Sequence, residues 1–234
     1  MNMKIDILTI FPKMFEGFLS ESILGRAQKQ GLLQVNIHDL RKWASDARRS
    51  VDDRPFGGGP GMVMMVEPVA KALSELKNKS SKVIVMSAKG KCFSQADASV
   101  LSKERHLIVI APHYEGIDER VIEYFADYEI SIGPYVLTGG ELPSLVVIDA
   151  TARLIPGVVG KEESVEMESF AEVSVNGKKK QILEYPQYTR PEVFKTSAGK
   201  ELNVPEVLLS GHHEEIRKWR LAQAKIVNPA RERS

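Results

Sequence analysis

The 234-residue chain has a single cysteine, Cys92, and only two tryptophans, and charges interrupt every apolar run. One cysteine excludes an intrachain disulfide and a cysteine-cluster metal site. The apolar runs stop short of the roughly 18 residues a membrane span needs, so no membrane partner is expected. The opening MNMKIDILTIFP lacks the basic start, long apolar core and cleavage site of a signal peptide. A cytoplasmic location is the resulting expectation. An excess of charge of one sign is missing too, since 32 Lys+Arg face 31 Asp+Glu for a net +1. That excludes a surface that grips nucleic acid everywhere, though not a local basic patch. What is present, 43% hydrophobic and 27% charged residues, is the make-up of a globular protein with a sizeable core.

Strands alternate with helices in the first 160 residues. Ile5, Ile7 and Ile10 mark a strand, and Pro12 leads into a helical stretch ending near Gly31. Strands follow at 33–38, 82–87 (KVIVMS), 107–111 (LIVIA) and 128–132. Helices are expected from Pro68, Ser94, Asp118 and Pro143, with a long loop over 41–61. Strands apolar on both faces predict an α/β fold, a parallel sheet with helices on both faces. Residues 161–171, charged and without a core pattern, read as a flexible linker. Residues 172–234 read as a small, mostly helical domain, with a hairpin turning at Asn176-Gly177, a turn at 197–200 and a last helix capped by Ser210. The charge divides at this boundary: residues 1–171 hold 20 Lys+Arg and 23 Asp+Glu, residues 172–234 hold 12 and 8. A basic tail on a slightly acidic body is compatible with a nucleic-acid partner.

Ligands of open parallel sheets bind beyond the carboxyl ends of the strands, and three loops qualify here. They are Ala88-Lys89-Gly90, then 112–116 (PHYEG), then 133–140 (GPYVLTGG). The third combines backbone that a ligand can approach closely with an apolar face from Tyr135, Val136 and Leu137. A tight connection into the next helix is the competing reading. Arg153 either complements the end of its helix or acts on a substrate. Asp118 and Glu115 either brace a helix start or serve a ligand. The glycines of 52–64 (DDRPFGGGPGMVM) lack the lysine–hydroxyl pair of a phosphate-binding P-loop, and no G-x-G-x-x-G follows the first strand. His212 and His213 are adjacent, so on a helix they point about 100° apart and cannot chelate one metal together.

Six stretches, 52–64, YEGIDER (114–120), SIGPYVLTGGELP (131–143), RLIPGVVG (153–160), YTRPEV (188–193) and SGHHEEIRKWR (210–220), resemble in this order the bacterial tRNA (guanine-N1)-methyltransferases that modify guanine 37 beside the anticodon. The resemblance covers nearly the whole chain. It implies a SPOUT-class enzyme, a homodimer with a deep trefoil knot in residues 1–160, using S-adenosylmethionine on the anticodon arm of tRNA. The cofactor positions it implies are Ser87, Gly90, Pro112, Tyr114, Glu115, Gly116, Ile132, Gly133, Pro134, Tyr135, Val136, Leu137, Gly139 and Gly140. They fall in or beside the three loops picked out above. It further implies Arg153 as the cation that stabilises charge on guanine O6 and Glu168 as the base that takes the N1 proton. The family's Mg²⁺ requirement points to the carboxylates Glu115, Glu168 and Glu184, hard oxygen donors of the kind that ion takes.

The chain departs from the family's pattern at four of these positions. Glu168 and Glu184 stand where the family has aspartate, Pro112 where it usually has glycine, and Pro134 where it usually has aspartate. Two other readings of the same fold stay open, a methyltransferase acting on ribose 2′-oxygen and a catalytically silent RNA-binding protein. Intact Arg153 and YVLTGGELP weigh against the second.

Overall fold

The apolar runs of the first two thirds of the chain pair as one parallel sheet. In this computed structural model, residues 2–159, 169–170, 172–175 and 178–227 are described, with side chains omitted at 172–175 and 178–180. The chain divides into two compact units, Met1–Lys161 and Glu162–Ser234. In the first, β1 (Met3–Thr9) leads through α1 (Lys13–Ser20) and α2 (Ser22–Lys29) to β2 (Leu33–Asp39). A 3₁₀ turn at Leu40–Trp43 and two short paired strands, β3 (Asp52–Asp53) and β4 (Val63–Met64), precede α3 (Val66–Leu76). Then come β5 (Ser81–Cys92), α4 (Gln95–Leu101), β6 (His106–Ile110), α5 (Glu119–Phe125), β7 (Tyr128–Ser131) and α6 (Glu141–Ala152). The sheet order is β2-β1-β6-β5-β7 and every pairing is parallel.

Side chains alternate across a strand, and here both sides are apolar. Ile5, Ile7, Leu107 and Val109 join one buried cluster with Phe15 of α1, Leu24 of α2 and Ile148 of α6. Leu8, Ile108, Ile110, Val83 and Val85 join another with Val69 of α3 and Val121 of α5. Helices therefore cover both faces, as the α/β pattern predicts. Each fully buried Leu or Ile contributes about 1.5–3 kcal/mol relative to exposure, so the sheet is a rigid platform for the loops at its carboxyl edge.

The helical stretch expected to run from Pro12 to near Gly31 is two helices. Glu21 between them is extended (φ −106°, ψ 168°) and Ser22 is left-handed (φ 53°). A Cβ on Gly25 would collide with the Ser20 carbonyl, so glycine there lets α2 cross tightly over the end of α1. Ser94 caps α4 in a reciprocal box with Asp97, and Asp118 caps α5 by accepting from the Arg120 N–H.

The second unit, expected to be mostly helical, holds five strands and two helices among its described residues. Strands β8 (Glu172–Val175) and β9 (Lys178–Leu183) pair antiparallel with Val175 opposite Lys178. The Asn176-Gly177 turn itself lies outside the described residues. β10 (Val193–Lys195) and β11 (Glu201–Asn203) form a second hairpin, and β12 (Lys225–Ile226) adds to β9. Ser210 does not cap the last helix. Its hydroxyl donates to the Val207 carbonyl, left-handed Gly211 (φ 73°) turns the chain, and the helix runs His213–Gln223 from an N-cap at His212. Trp219 is half-buried, with its ring 6.3 Å from that of Tyr188.

Candidate functional site

Strands β6, β5 and β7 are neighbours, so the loops beyond their carboxyl ends converge. They enclose a cavity of about 270 Å³. The first wall comes from within β5. That strand was expected to end at residue 87 and instead makes an excursion, since Met86 and Lys91 both stand opposite Ile130 of β7. Ser87, Ala88 and Lys89 bulge out between them and line the cavity. Gly90 does not line it. A Cβ there would sit 2.6 Å from the Glu129 carbonyl carbon and the Ile130 nitrogen, so glycine is needed for the strand to return against β7. Gly90→Ala is expected to destabilise the protein by about 1–3 kcal/mol, the usual cost of overpacking. An unchanged urea midpoint would contradict this.

The second wall is the loop after β6, with Pro112, His113, Tyr114, Glu115 and Gly116 facing the cavity. Tyr114 (φ 59°) holds a left-handed conformation there. The stretch 61–64 buttresses it: Glu115 N–H donates to Met62 O (3.0 Å), Met64 N–H to Gly116 O (2.9 Å) and Asp118 N–H to Met64 O (2.9 Å). Gly61 (φ 77°) lies so close to Glu115 that a Cβ would fall 2.5 Å from its Cγ. The glycine-rich segment, which is no phosphate loop, thus supports the site from behind. The Glu115 side chain packs against Gly61 and also borders the cavity, while Asp118 alone caps α5. Hydrogen bonds from the Arg120 guanidinium hold the Asp118 carboxyl below its ordinary value.

The third wall is the loop after β7. It curls around Gly133, where a Cβ would strike the Tyr135 ring, and the Tyr135 hydroxyl donates to Ile132 O (3.1 Å). Ile132, Gly133, Tyr135, Val136, Leu137, Gly139 and Gly140 face the cavity, and Pro134 does not. Gly140 N–H donates to the Pro112 carbonyl at 2.6 Å, and a Cβ on Gly140 would lie 2.8 Å from Pro112. The second and third walls therefore meet backbone to backbone. Lys89 on the first wall donates to Glu119 of α5 (2.8 Å), and that hydrogen bond raises the lysine's proton affinity.

Sequence reasoning missed two residues here, Thr9 and Glu141, and gave His113 no role beyond its loop. Glu141, 1% exposed at the first position of α6, accepts from the Thr9 hydroxyl (3.0 Å) and lies 3.3 Å from His113 Nδ1. An acidic residue opening a helix looks like a dipole partner, and only convergence from distant parts of the chain reveals its burial. Arg153, the half-buried C-cap of α6, is not among the lining residues. Glu168 lies outside the described residues. Glu184 is exposed in the second unit, where it accepts from Gln187 (2.7 Å). Among the described residues no group of three or more His, Cys, Asp or Glu is placed to hold a metal ion.

The cavity combines an apolar face (Tyr135, Val136, Leu137), close backbone at Gly139 and Gly140, and polar groups from Ser87, Lys89 and Glu115. Such a lining suits a ligand with a flat heteroaromatic part and a charged end. The sequence model of the family described as tRNA (Guanine-1)-methyltransferase TrmD matches residues 3–233. Curated relatives named tRNA (guanine-N(1)-)-methyltransferase include one from Moorella thermoacetica, 52% identical over 226 residues that cover 95% of this chain and 85% of the relative. Another, from Ruminiclostridium cellulolyticum, is 53% identical over 225 residues, covering 95% and 91%. A third, from Clostridium novyi, is 49% identical over 232 residues, covering 99% and 90%.

Proposed function

This chain belongs to the tRNA (guanine-1)-methyltransferase family, and from that premise we propose that it methylates N1 of guanine 37 in tRNA, with S-adenosylmethionine held in the three-walled cavity. The observation that carries the assignment of the cavity is the glycine cradle. Gly139 and Gly140 leave no room for a Cβ where the second and third walls meet, and the apolar face of Tyr135–Leu137 stands beside them. The residues present fit the cofactor: backbone and apolar side chains for an adenine ring, Ser87, Lys89 and Glu115 for a polar end.

When bound, S-adenosylmethionine supplies a methyl group on a sulfonium, which attack by guanine N1 displaces as the neutral thioether S-adenosylhomocysteine. Guanine N1 carries a proton and is a poor nucleophile, so a base must remove it as the new N–C bond forms. Glu168 takes that proton in this reading. Negative charge building on O6 is stabilised by the Arg153 guanidinium, a fixed cation with planar donors. Glutamate at 168 keeps the carboxylate and reaches about 1.5 Å further than aspartate.

Arg153 lies ten residues beyond Pro143 on the same helix, about 15 Å along its axis, which is further than its side chain reaches. A site completed across a homodimer accords with that separation. Exposed Met14 and Phe18 on α1, and Leu142 and Val146 on α6, offer the apolar face a second copy needs, and α1 packs on α6. The trefoil knot belongs to the same reading, supported by the close passage of the third loop over the second. Among the described residues no helix is long and apolar enough to cross a membrane.

The deciding experiment incubates the protein with labelled methyl donor and tRNA transcripts with or without guanine at position 37. Label is expected only in the former. Label independent of that base would overturn the assignment of the target, and label in ribose would favour the 2′-oxygen alternative.

A further inference from the structure

Thr9 ends β1, Glu141 opens α6 and His113 stands in the loop after β6, so three separate parts of the chain meet at one buried carboxylate. Both of its oxygens are engaged, Oε1 by the Thr9 hydroxyl (3.0 Å) and Oε2 by His113 Nδ1 (3.3 Å). Thr9 is itself fully buried, and its hydroxyl accepts from the Phe11 N–H (2.9 Å). The imidazole is fixed by more than this contact. It meets the Phe11 ring edge-on at 4.7 Å and the Tyr114 ring at 5.2 Å, and its backbone bridges to Gly139. A Cβ on Gly139 would run into both His113 Nδ1 and Glu141 Oε2. The histidine–glutamate pair thus fills the seam between two cavity walls.

We propose that His113 is a positioning residue for the methyl donor, locking the 112–116 loop to the 133–140 loop through Glu141 and Thr9; this rests on the reading of the cavity as the donor site. Apolar lining residues cannot set the spacing of two loops, because dispersion contacts have no direction. A charged hydrogen bond does have one, and a buried carboxylate with a partner removed is costly enough to pull the loops out of register. The Gly140 N–H to Pro112 O bond, beside the His113–Gly139 backbone bridge, ties the same seam through the main chain. Losing the side-chain tie leaves the cradle to these backbone contacts. Nδ1–H is the atom that matters, so a side chain placing an N–H at the same point should substitute for it.

The test is calorimetric titration of S-adenosylmethionine into wild type, His113→Phe, His113→Asn and Glu141→Gln, with KM for donor and tRNA measured alongside. His113→Phe and Glu141→Gln are expected to weaken donor binding roughly tenfold, with the donor KM rising in step and the tRNA KM unmoved. His113→Asn, whose amide N–H lies near the position of Nδ1–H, should recover most of the loss. His113→Asn no better than His113→Phe, or donor affinity unchanged in both His113→Phe and Glu141→Gln, would overturn the proposal. A wild-type protein that binds no donor would instead overturn the cavity's assignment and take the proposal with it. The two failures are told apart by the wild-type titration alone.

Discussion

Asp6→Ala is expected to cost on the order of 3 kcal/mol of stability at neutral pH, the size of effect seen when one member of a buried ionic cluster is removed. Asp6 is 0% exposed at the middle of β1. Its Oδ1 accepts from Asn36 (2.8 Å) and contacts His38 Nε2 (2.9 Å), while Oδ2 meets Lys4 Nζ and His106 Nε2, both at 2.7 Å. His106 is held in turn by Asn78 and Ser81 at its Nδ1. Alanine would leave this set of donors facing an empty space inside the sheet. Burial alone pushes the Asp6 carboxyl up, but the hydrogen bonds from His38, Lys4, Asn36 and His106 together outweigh it and hold the group well below the usual carboxylate range. A depressed folded-state value means the unfolded chain binds the proton more readily. The contribution is therefore complete above the unfolded value near pH 4 and is lost as pH falls from there towards the folded one. Urea denaturation from pH 7 down to 2.5 should show wild-type stability falling below pH 4, with the variant less stable at neutrality and flatter in acid. A variant within 0.5 kcal/mol of wild type at pH 7 would mean the cluster contributes little.

Glu168→Gln should reduce turnover by two to four orders of magnitude, the range for a positioned base, while leaving donor affinity as in wild type. Glutamine keeps the size and loses only the ability to take a proton. Arg153→Ala should also lower turnover, by about 10²–10³, as removal of one stabilising donor does elsewhere. The two are separable by their pH profiles. Arg153→Ala keeps the acid limb of the rate profile, since the base that titrates is still present, whereas Glu168→Gln loses it. Single-turnover methylation across pH 5–9, with donor binding measured in parallel, reads both. Unchanged turnover in Glu168→Gln would assign the proton to another group.

The five strands of the parallel sheet were legible because each carries a short apolar run flanked by turn residues, and burial on both faces made helical coverage a necessity; β3 and β4, two residues each, were not. Ser94 and Asp118 were legible as caps for a local reason: their partners lie within three residues. What failed was whatever depended on distant partners. KVIVMS loses its apolar signature after Met86, yet pairing with β7 resumes at Lys91 because Ile130 is waiting there. Thr9, His113 and Glu141 are unremarkable one by one and are joined across separations of 28 and 132 residues. The cavity's loops could be named from the strand-end rule, but not which residues face inward; Gly90 and Pro134 lie outside the lining. In the second unit the hairpin of β8 and β9 was legible from its Asn176-Gly177 turn, but β10, β11 and β12 run only two or three residues, too few for a period to show. Ser210 looked like a cap because Gly211's turn is a backbone property that residue types alone do not specify.

The excursion in β5 has a consequence for how this cavity can diverge. Because the strand leaves and rejoins its neighbour at the same partner residue, residues 87–89 are a parenthesis in the sheet. Their side chains and even their number can change while the ladder on either side keeps its alignment, provided Gly90 closes the bracket. Natural drift or a designed library confined to these three positions would therefore reshape one wall alone, leaving the folding of the rest untouched. Altered donor analogues are best sought there, where novelty is cheapest to the scaffold.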